Sequence, residues 1–181
     1  MKRTLVIHGK DASTDFLIPI YKGMHHKTVI TENCEPEKLI ELIESHDRIM
    51  MLGHGWTQGL FNISGINKGF GFAINGTHAS LLIDKECIFI WCQAHTFVEH
   101  FGLKGFNTGM FISEVEEASW YHIFPTQEEV DKSNKTFVDI FRKYRTLDAK
   151  TMHRRVRLHY AKLAKDSEVA EYNYNRLFNN K

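Results

Sequence analysis

Cysteine and proline are scarce in this chain, with three of each among 181 residues. Cys34, Cys87 and Cys92 cannot close a disulfide framework. Met1-Lys2-Arg3 runs straight into a strand-like segment rather than a secretory leader, so a reducing cytoplasm is the expected compartment. So few prolines, with no Pro/Ser-rich stretch, argue against a long linker or a string of modules. No apolar run approaches the roughly 18 residues needed to span a bilayer, and no membrane partner is expected. An excess of one charge is also missing: 23 Lys and Arg face 22 Asp and Glu, for a net +1. No global field therefore points to nucleic acid or to a membrane surface. The phosphate-loop pattern is absent, Gly69-Phe70-Gly71 lacks the strand-to-helix setting of a dinucleotide fingerprint, and no Gly-x-Ser-x-Gly elbow occurs. The eleven histidines include no His-x-x-x-His pair with a Glu, and no Cys-x-x-Cys is present, so neither metal nor cofactor is expected.

What is present is ordinary globular material, 43% hydrophobic and 25% charged, enough for one domain with a real core. Thr4–His8, Lys27–Thr31, Arg48–Leu52, Cys87–Cys92 and Thr108–Glu114 read as strands, several too apolar to have a wet face. Between them, Pro36 followed by Leu39, Ile40, Leu42 and Ile43 predicts a helix over 36–45, and His95–Phe101 a shorter one. Residues 59–74 read as a glycine-punctuated hairpin excursion. Beyond residue 120 the pattern becomes helical. Thr126 with Glu129 forms a capping box, Asp148 and Ser167 are further caps, and Arg176-Leu177 falls on the face of the last helix. The expected fold is α/β, a three-layer sandwich around a mainly parallel sheet of about five or six strands. Residues 1–120 supply the α/β part, and the helical segment 121–181 packs on the same domain.

In such sheets the chemistry collects beyond the carboxyl ends of the strands. Two strands end in pointed residues: one runs into Gly53-His54-Gly55, the other into Trp91-Cys92-Gln93. Consecutive strands are usually neighbours, which places His54 and Cys92 on one sheet edge. A thiol attacks as thiolate, and an imidazole beside it can take or balance the proton. A glycine at 55 lets backbone approach a substrate carbonyl, and the N–H groups of Gly55 and Cys92 are candidates for an oxyanion hole. Cys87, inside its strand, reads as core; His8 and His95 read as structural.

The pattern of an apolar strand ending in His-Gly, a hairpin excursion and an apolar strand ending in Cys resembles the caspase-like cysteine peptidases. That group includes caspases, metacaspases, clostripain, gingipains and CHAT domains. The resemblance covers about His46 to Glu117 and is carried by Leu52-Gly53-His54-Gly55 and Ile88-Phe89-Ile90-Trp91-Cys92. It implies a caspase-like fold and a cysteine endopeptidase with His54 as base, Cys92 as nucleophile and Gly55 as an oxyanion donor. The chain departs from the caspase pattern in placing Gln93-Ala94 after the cysteine rather than before it. The group selects substrate through charges near the loops after its strands. The acidic residues there, Asp11 in one loop and Glu114 with Glu116 and Glu117 in another, imply cleavage after a basic residue, with Asp11 and Glu114 binding substrate.

One uneven feature supports a reading of another class. From Arg142 to Lys165, nine Lys and Arg stand against Asp148 alone. A catalytically silent relative would act through these basic helices, over residues 142–165, on an acidic protein or a nucleic acid.

Overall fold

A computed structural model describes residues 2–68 and 71–180. The chain opens with β1 (Thr4–His8), every residue of which is buried. A 3₁₀ segment over Ala12–Leu17 leads into α1 (Ile18–Tyr21), then β2 (Lys27–Ile30), α2 (Pro36–Ser45) and β3 (Arg48–Leu52). Pro36 opens α2 in its first turn, where a missing N–H costs nothing. Next come β4 (Gly55–Trp56), β5 (Gly59–Phe61) and β6 (Phe72–Asn75), a separate three-stranded antiparallel sheet where the excursion is expected. Gly69-Phe70, within that excursion, lie outside the described residues. The chain continues through α3 (Ala79–Leu82), β7 (Glu86–Ile90), α4 (Ala94–His100), β8 (Gly105–Thr108) and α5 (Val115–Ser119). It finishes with α6 (Gln127–Tyr144), α7 (Ala149–Ala164), α8 (Glu168–Tyr174) and β9 (Leu177–Asn180).

The main sheet has six strands in the order β2-β1-β3-β7-β8-β9, all parallel except β9. The fold is thus α/β with a mainly parallel sheet, as expected. Alternation along the central strands divides the core in two. Ile49, Met51, Cys87 and Phe89 pack with Leu39 and Ile43 of α2 and Phe97 of α4. On the other face Met50, Leu52, Ile88 and Ile90 pack with Phe137 and Phe141 of α6 and Val156 and Tyr160 of α7. Among the described residues no helix is long and apolar enough to cross a membrane.

Three boundaries differ from the sequence pattern. β7 stops at Ile90, so Trp91 and Cys92 leave the sheet and start a turn. The fifth strand is Gly105–Thr108 rather than Thr108–Glu114. Gly105 sits at φ +142, and a Cβ there would meet the Cys87 carbonyl oxygen at 2.2 Å, so strand contact requires glycine where propensity disfavours it. The last helix ends at Tyr174, and Leu177 begins β9 instead of continuing the helix. The C-terminal third therefore contributes a strand to the sheet as well as covering one face.

Among the described residues the most buried Lys or Arg fastens these layers. Arg48, 2% exposed, reaches from the start of β3 to the turn between α6 and α7. Its guanidinium donates to the carbonyls of Arg145, Thr146 and Leu147 and pairs with Glu86 of β7. Truncating Arg48 leaves Glu86 with only its exposed partner Lys2 and strips the Arg145, Thr146 and Leu147 carbonyls of a charged donor. Arg48→Met should lower unfolding free energy by about 3 kcal/mol, read as a lower urea midpoint at unchanged slope, while a surface change such as Lys38→Met stays within about 0.5 kcal/mol.

Candidate functional site

The pairing of β3 with β7 decides what meets at the sheet's carboxyl edge. Leu52 lies opposite Ile90, and the Gly53 N–H continues the ladder to the Ile90 carbonyl at 3.0 Å. Gly53 then turns the chain at φ +134, a conformation few side chains tolerate. Two residues beyond each member of the pair stand His54 and Cys92. Both line one small cavity of about 30 Å³, shared with Thr14, Leu17, Phe111 and Glu117. That is room for about one water.

Cys92 occupies a sharp turn between β7 and α4. Gln93, which follows it, adopts a left-handed conformation at φ +65, uncommon for a residue with a Cβ. The Trp91 carbonyl accepts from Ala94 N at 3.3 Å and from the Thr108 hydroxyl at 2.9 Å, which pins the turn to β8. Burial pushes the Cys92 thiol up to about 11, the Glu117 carboxylate adds to the rise, and the Phe111 N–H opposes it. No hydrogen bond joins Cys92 to His54 among the described residues, although both line the same cavity.

His54 is held from the far side. Its Nε2 lies 2.6 Å from the Ser13 hydroxyl, and that hydroxyl donates to Asp11 Oδ1 at 2.6 Å. Ser13 has one proton to give, and the carboxylate receives it. His54 Nε2 must then carry the hydrogen donated to Ser13, which leaves Nδ1 as the lone pair. Asp11 also accepts the Ser13 N–H at 2.9 Å, and its Oδ2 stands 3.9 Å from Nε2. The two Ser13 hydrogen bonds, with His54 and His8 nearby, hold the Asp11 carboxyl below its usual range.

The loop carrying Asp11 and Ser13 is itself anchored by buried His8. Thr14 donates its hydroxyl proton to the Asp11 carbonyl at 3.2 Å, so its oxygen accepts from His8 Nε2 at 3.1 Å. His8 Nδ1 then accepts from the Tyr21 hydroxyl at 3.0 Å. Burial lowers His8 to about 4 against the attraction of Asp15 and Asp11, so the ring is neutral at pH 7.

The other expected site residues are placed as follows. Gly55 does not line the cavity. It lies beneath Trp91, where a Cβ would stand 2.3 Å from the indole, and that indole donates to the Trp56 carbonyl at 3.0 Å. Glu114 caps α5 and forms a reciprocal cap with Glu117, away from the cavity lining. The acid at the cavity is Glu117, 8% exposed, whose Oε2 accepts from Ser113 N at 2.8 Å, Ser113 Oγ at 3.1 Å and Glu114 N at 3.2 Å. Asp11 belongs to the His54 support. Ser13 is the residue that the pattern of motifs passes over; its signal is the Asp11-Ala12-Ser13 spacing of an Asx turn. Cys87 is buried core, and all three cysteines are free. Among the described residues no three His, Cys, Asp or Glu side chains gather as a metal-ligand set.

The basic segment divides. Arg145 donates to the carbonyls of Pro19, Ile20 and Lys22, and Arg157 to those of Tyr174 and Leu177. These two serve the fold. Lys150, Arg154, Arg155 and Lys162 are exposed on α7, as is Lys165 just after it, and none forms an ion pair among the described residues.

Two outcomes follow from these shifts. His8 titrates near 6.5 unfolded and about 4 folded. The unfolded chain therefore binds more protons between those values, and stability falls as pH drops from 6.5 to 4. The loss attributable to His8 is about 3 kcal/mol, and His8→Asn should flatten that limb in urea unfolding measured against pH. Iodoacetamide should alkylate Cys92 more slowly at pH 8 than a free thiol, by at least tenfold. Glu117→Gln, which removes the neighbouring negative charge, should speed that alkylation several-fold by mass spectrometry.

No family model matches this chain, and neither a curated protein nor a solved structure does.

Proposed function

We propose that the chain is a cysteine peptidase of the caspase-like kind, using a Cys92–His54 dyad to cleave peptide bonds. One observation carries the proposal: two adjacent parallel strands end at a thiol and an imidazole that face one cavity, and the imidazole's far nitrogen is held by Ser13 and Asp11. The strand order, the antiparallel last strand and the small sheet inserted between β3 and β7 support the same reading.

In this mechanism His54 Nδ1, freed as the lone pair by the Ser13 and Asp11 contacts, takes the Cys92 proton. The thiolate attacks the scissile carbonyl, and the S–C bond forms as the carbonyl π electrons move to oxygen. The backbone N–H at the Cys92 turn stabilises that oxyanion. The His54 imidazolium then protonates the leaving amine, and water hydrolyses the thioester with His54 again as base. A cavity of about 30 Å³ admits no peptide. The working conformation therefore requires the 111–117 segment to move outward, which also lowers the burial that holds the thiol protonated. With Glu117 at the cavity, a substrate with a basic side chain before the scissile bond fits best.

A second reading is favoured by different observations. Among the described residues Cys92 and His54 share no hydrogen bond and the exposed α7 cations form no ion pair; with the raised thiol, these features suit a silent relative that binds an acidic partner. Peptidyl acyloxymethyl ketones ending in Lys or Arg separate the two. The peptidase reading expects labelling of Cys92, abolished in Cys92→Ala and slowed at least 100-fold in His54→Ala, with Asp-terminated probes inert. Iodoacetamide reaching Cys92 while every peptidyl probe fails would overturn it and leave the binding reading.

A further inference from the structure

The segment that runs from Gly109, after β8, through α5 to Tyr121 covers the small cavity of Cys92 and His54, and its Phe111, Ser113 and Glu117 line that cavity. A peptide reaches the thiol only when this cover moves. Whatever holds the cover down therefore controls access to the sulfur.

The restraints converge on one place, the end of α8 and the turn after it. At the start of the cover, Gly109 N–H donates to the Arg176 carbonyl at 2.8 Å. In its middle, the buried Asn173 amide grips Ile112 on both sides, accepting from its N–H at 2.7 Å and donating to its carbonyl at 2.8 Å. At its far end, the Tyr121 ring lies 4.8 Å from the Tyr172 ring, and the two side chains are hydrogen-bonded. Residues between 172 and 176 thus hold the cover along its whole length.

The remaining contacts make the cover separable from the sheet. Ile112 and Ala118 pack with Val130 and Val169 in a small cluster distinct from the two cores that flank β3 and β7. Phe111, against the Phe137 ring at 4.7 Å, links the segment to one of those cores. A small apolar cluster with a polar attachment sits at the low end of local stability. Asn134 of α6 adds a weaker restraint. Its Nδ2 donates to the Ser113 carbonyl at 2.9 Å, but its Oδ1 is buried without a partner. An unpaired buried acceptor weakens the closed form relative to one in which water reaches it.

We propose that the end of α8 is an autoinhibitory latch: Tyr172, Asn173 and Arg176 hold the 109–121 segment over Cys92, and on their release the segment opens as a unit while the sheet stays folded. The latch takes its biological meaning from the dyad reading, on which it rests. Its physical content, access to the Cys92 sulfur, is separate from catalysis. Reactivity toward a bulky reagent is then the reactivity of the open form multiplied by the fraction open.

The test follows N-phenylmaleimide addition at Cys92 by mass spectrometry in native buffer, alongside backbone hydrogen exchange of the full chain. In the wild type, amides of 112–121 should exchange faster than those of β3 and β7. Asn173→Ala removes both bonds to Ile112 and should speed Cys92 modification at least tenfold. Tyr121→Ala, at a half-exposed position that leaves the cores intact, should speed it several-fold. In each variant the exchange of 112–121 should rise by the same factor, with β3 and β7 unchanged. Val156→Ala, in a main core, should lower the urea midpoint and leave the Cys92 rate unchanged. The latch is overturned if neither Asn173→Ala nor Tyr121→Ala speeds Cys92, or if the rate follows global stability through Val156→Ala as well. Maleimide needs no catalysis, so faster modification with peptidyl ketones still inert keeps the latch and removes the peptidase. Ketone labelling of wild type with no acceleration in either latch variant does the reverse.

Discussion

The registration of β3 against β7 is the constraint on which the rest of the molecule depends. Both strands are buried along nearly their whole length, and each alternates its side chains between two separate cores. A shift of one residue would send Ile88 and Ile90 into the layer built for Cys87 and Phe89. Packing on both faces therefore fixes Leu52 opposite Ile90, and that pairing alone brings His54 and Cys92 to one edge. Arg48 and Glu86 lie opposite each other at the far end of the same pair, so one ion pair holds the base of the ladder whose top carries the candidate chemistry.

The loop after β1 acts as a rigid bracket for that edge. Its hydrogen bonds run in one direction, from Tyr21 through His8 and Thr14 to the Asp11 carbonyl, while the Asp11 side chain organises Ser13 and through it His54. Each hydroxyl has a single proton, so the chain of donors sets both imidazole tautomers without any charge on His8. Cys92 faces the opposite circumstance. It is enclosed by apolar walls and a carboxylate, an environment that favours the neutral thiol. In the proposed peptidase the base is thus prepared and the thiol restrained, which keeps the pair quiet while the cavity is closed.

Much of this architecture is legible in the residues. Val6, Ile49–Leu52 and Ile88–Ile90 are too apolar for anything but a buried parallel sheet. Pro36, the Thr126–Glu129 box and the caps at Asp148 and Ser167 mark helix starts where helices begin. What escapes is set by distant partners. Gly105-Phe106-Asn107-Thr108 has poor strand propensity, and becomes one because Gly105 fits against the Cys87 carbonyl and buried Asn107 bonds to Asn180. Met110-Phe111-Ile112 has good strand propensity and is a loop, its Ile112 backbone clasped on both sides by Asn173 at 2.7 and 2.8 Å. At the site, the strand ends announce His54 and Cys92, whereas Ser13 acquires its place only when β1 lies beside β3. The acidic loop is visible too, but which of its carboxylates turns inward is decided by the cap of α5.

The clasp by Asn173 has a consequence for the order in which the molecule is made. On a ribosome the chain emerges from its first residues, and both strands that carry His54 and Cys92 are finished early. The loop that roofs their cavity is not fixed until Asn173 has been added, and β8 lacks its outer neighbour until residues 177–180 follow. For the interval in which α6, α7 and α8 are being synthesised, the thiol edge of the sheet is unroofed. Closure of the cavity therefore waits for residues far downstream of those it encloses, and the C-terminal helices act as the door to a part of the fold made earlier.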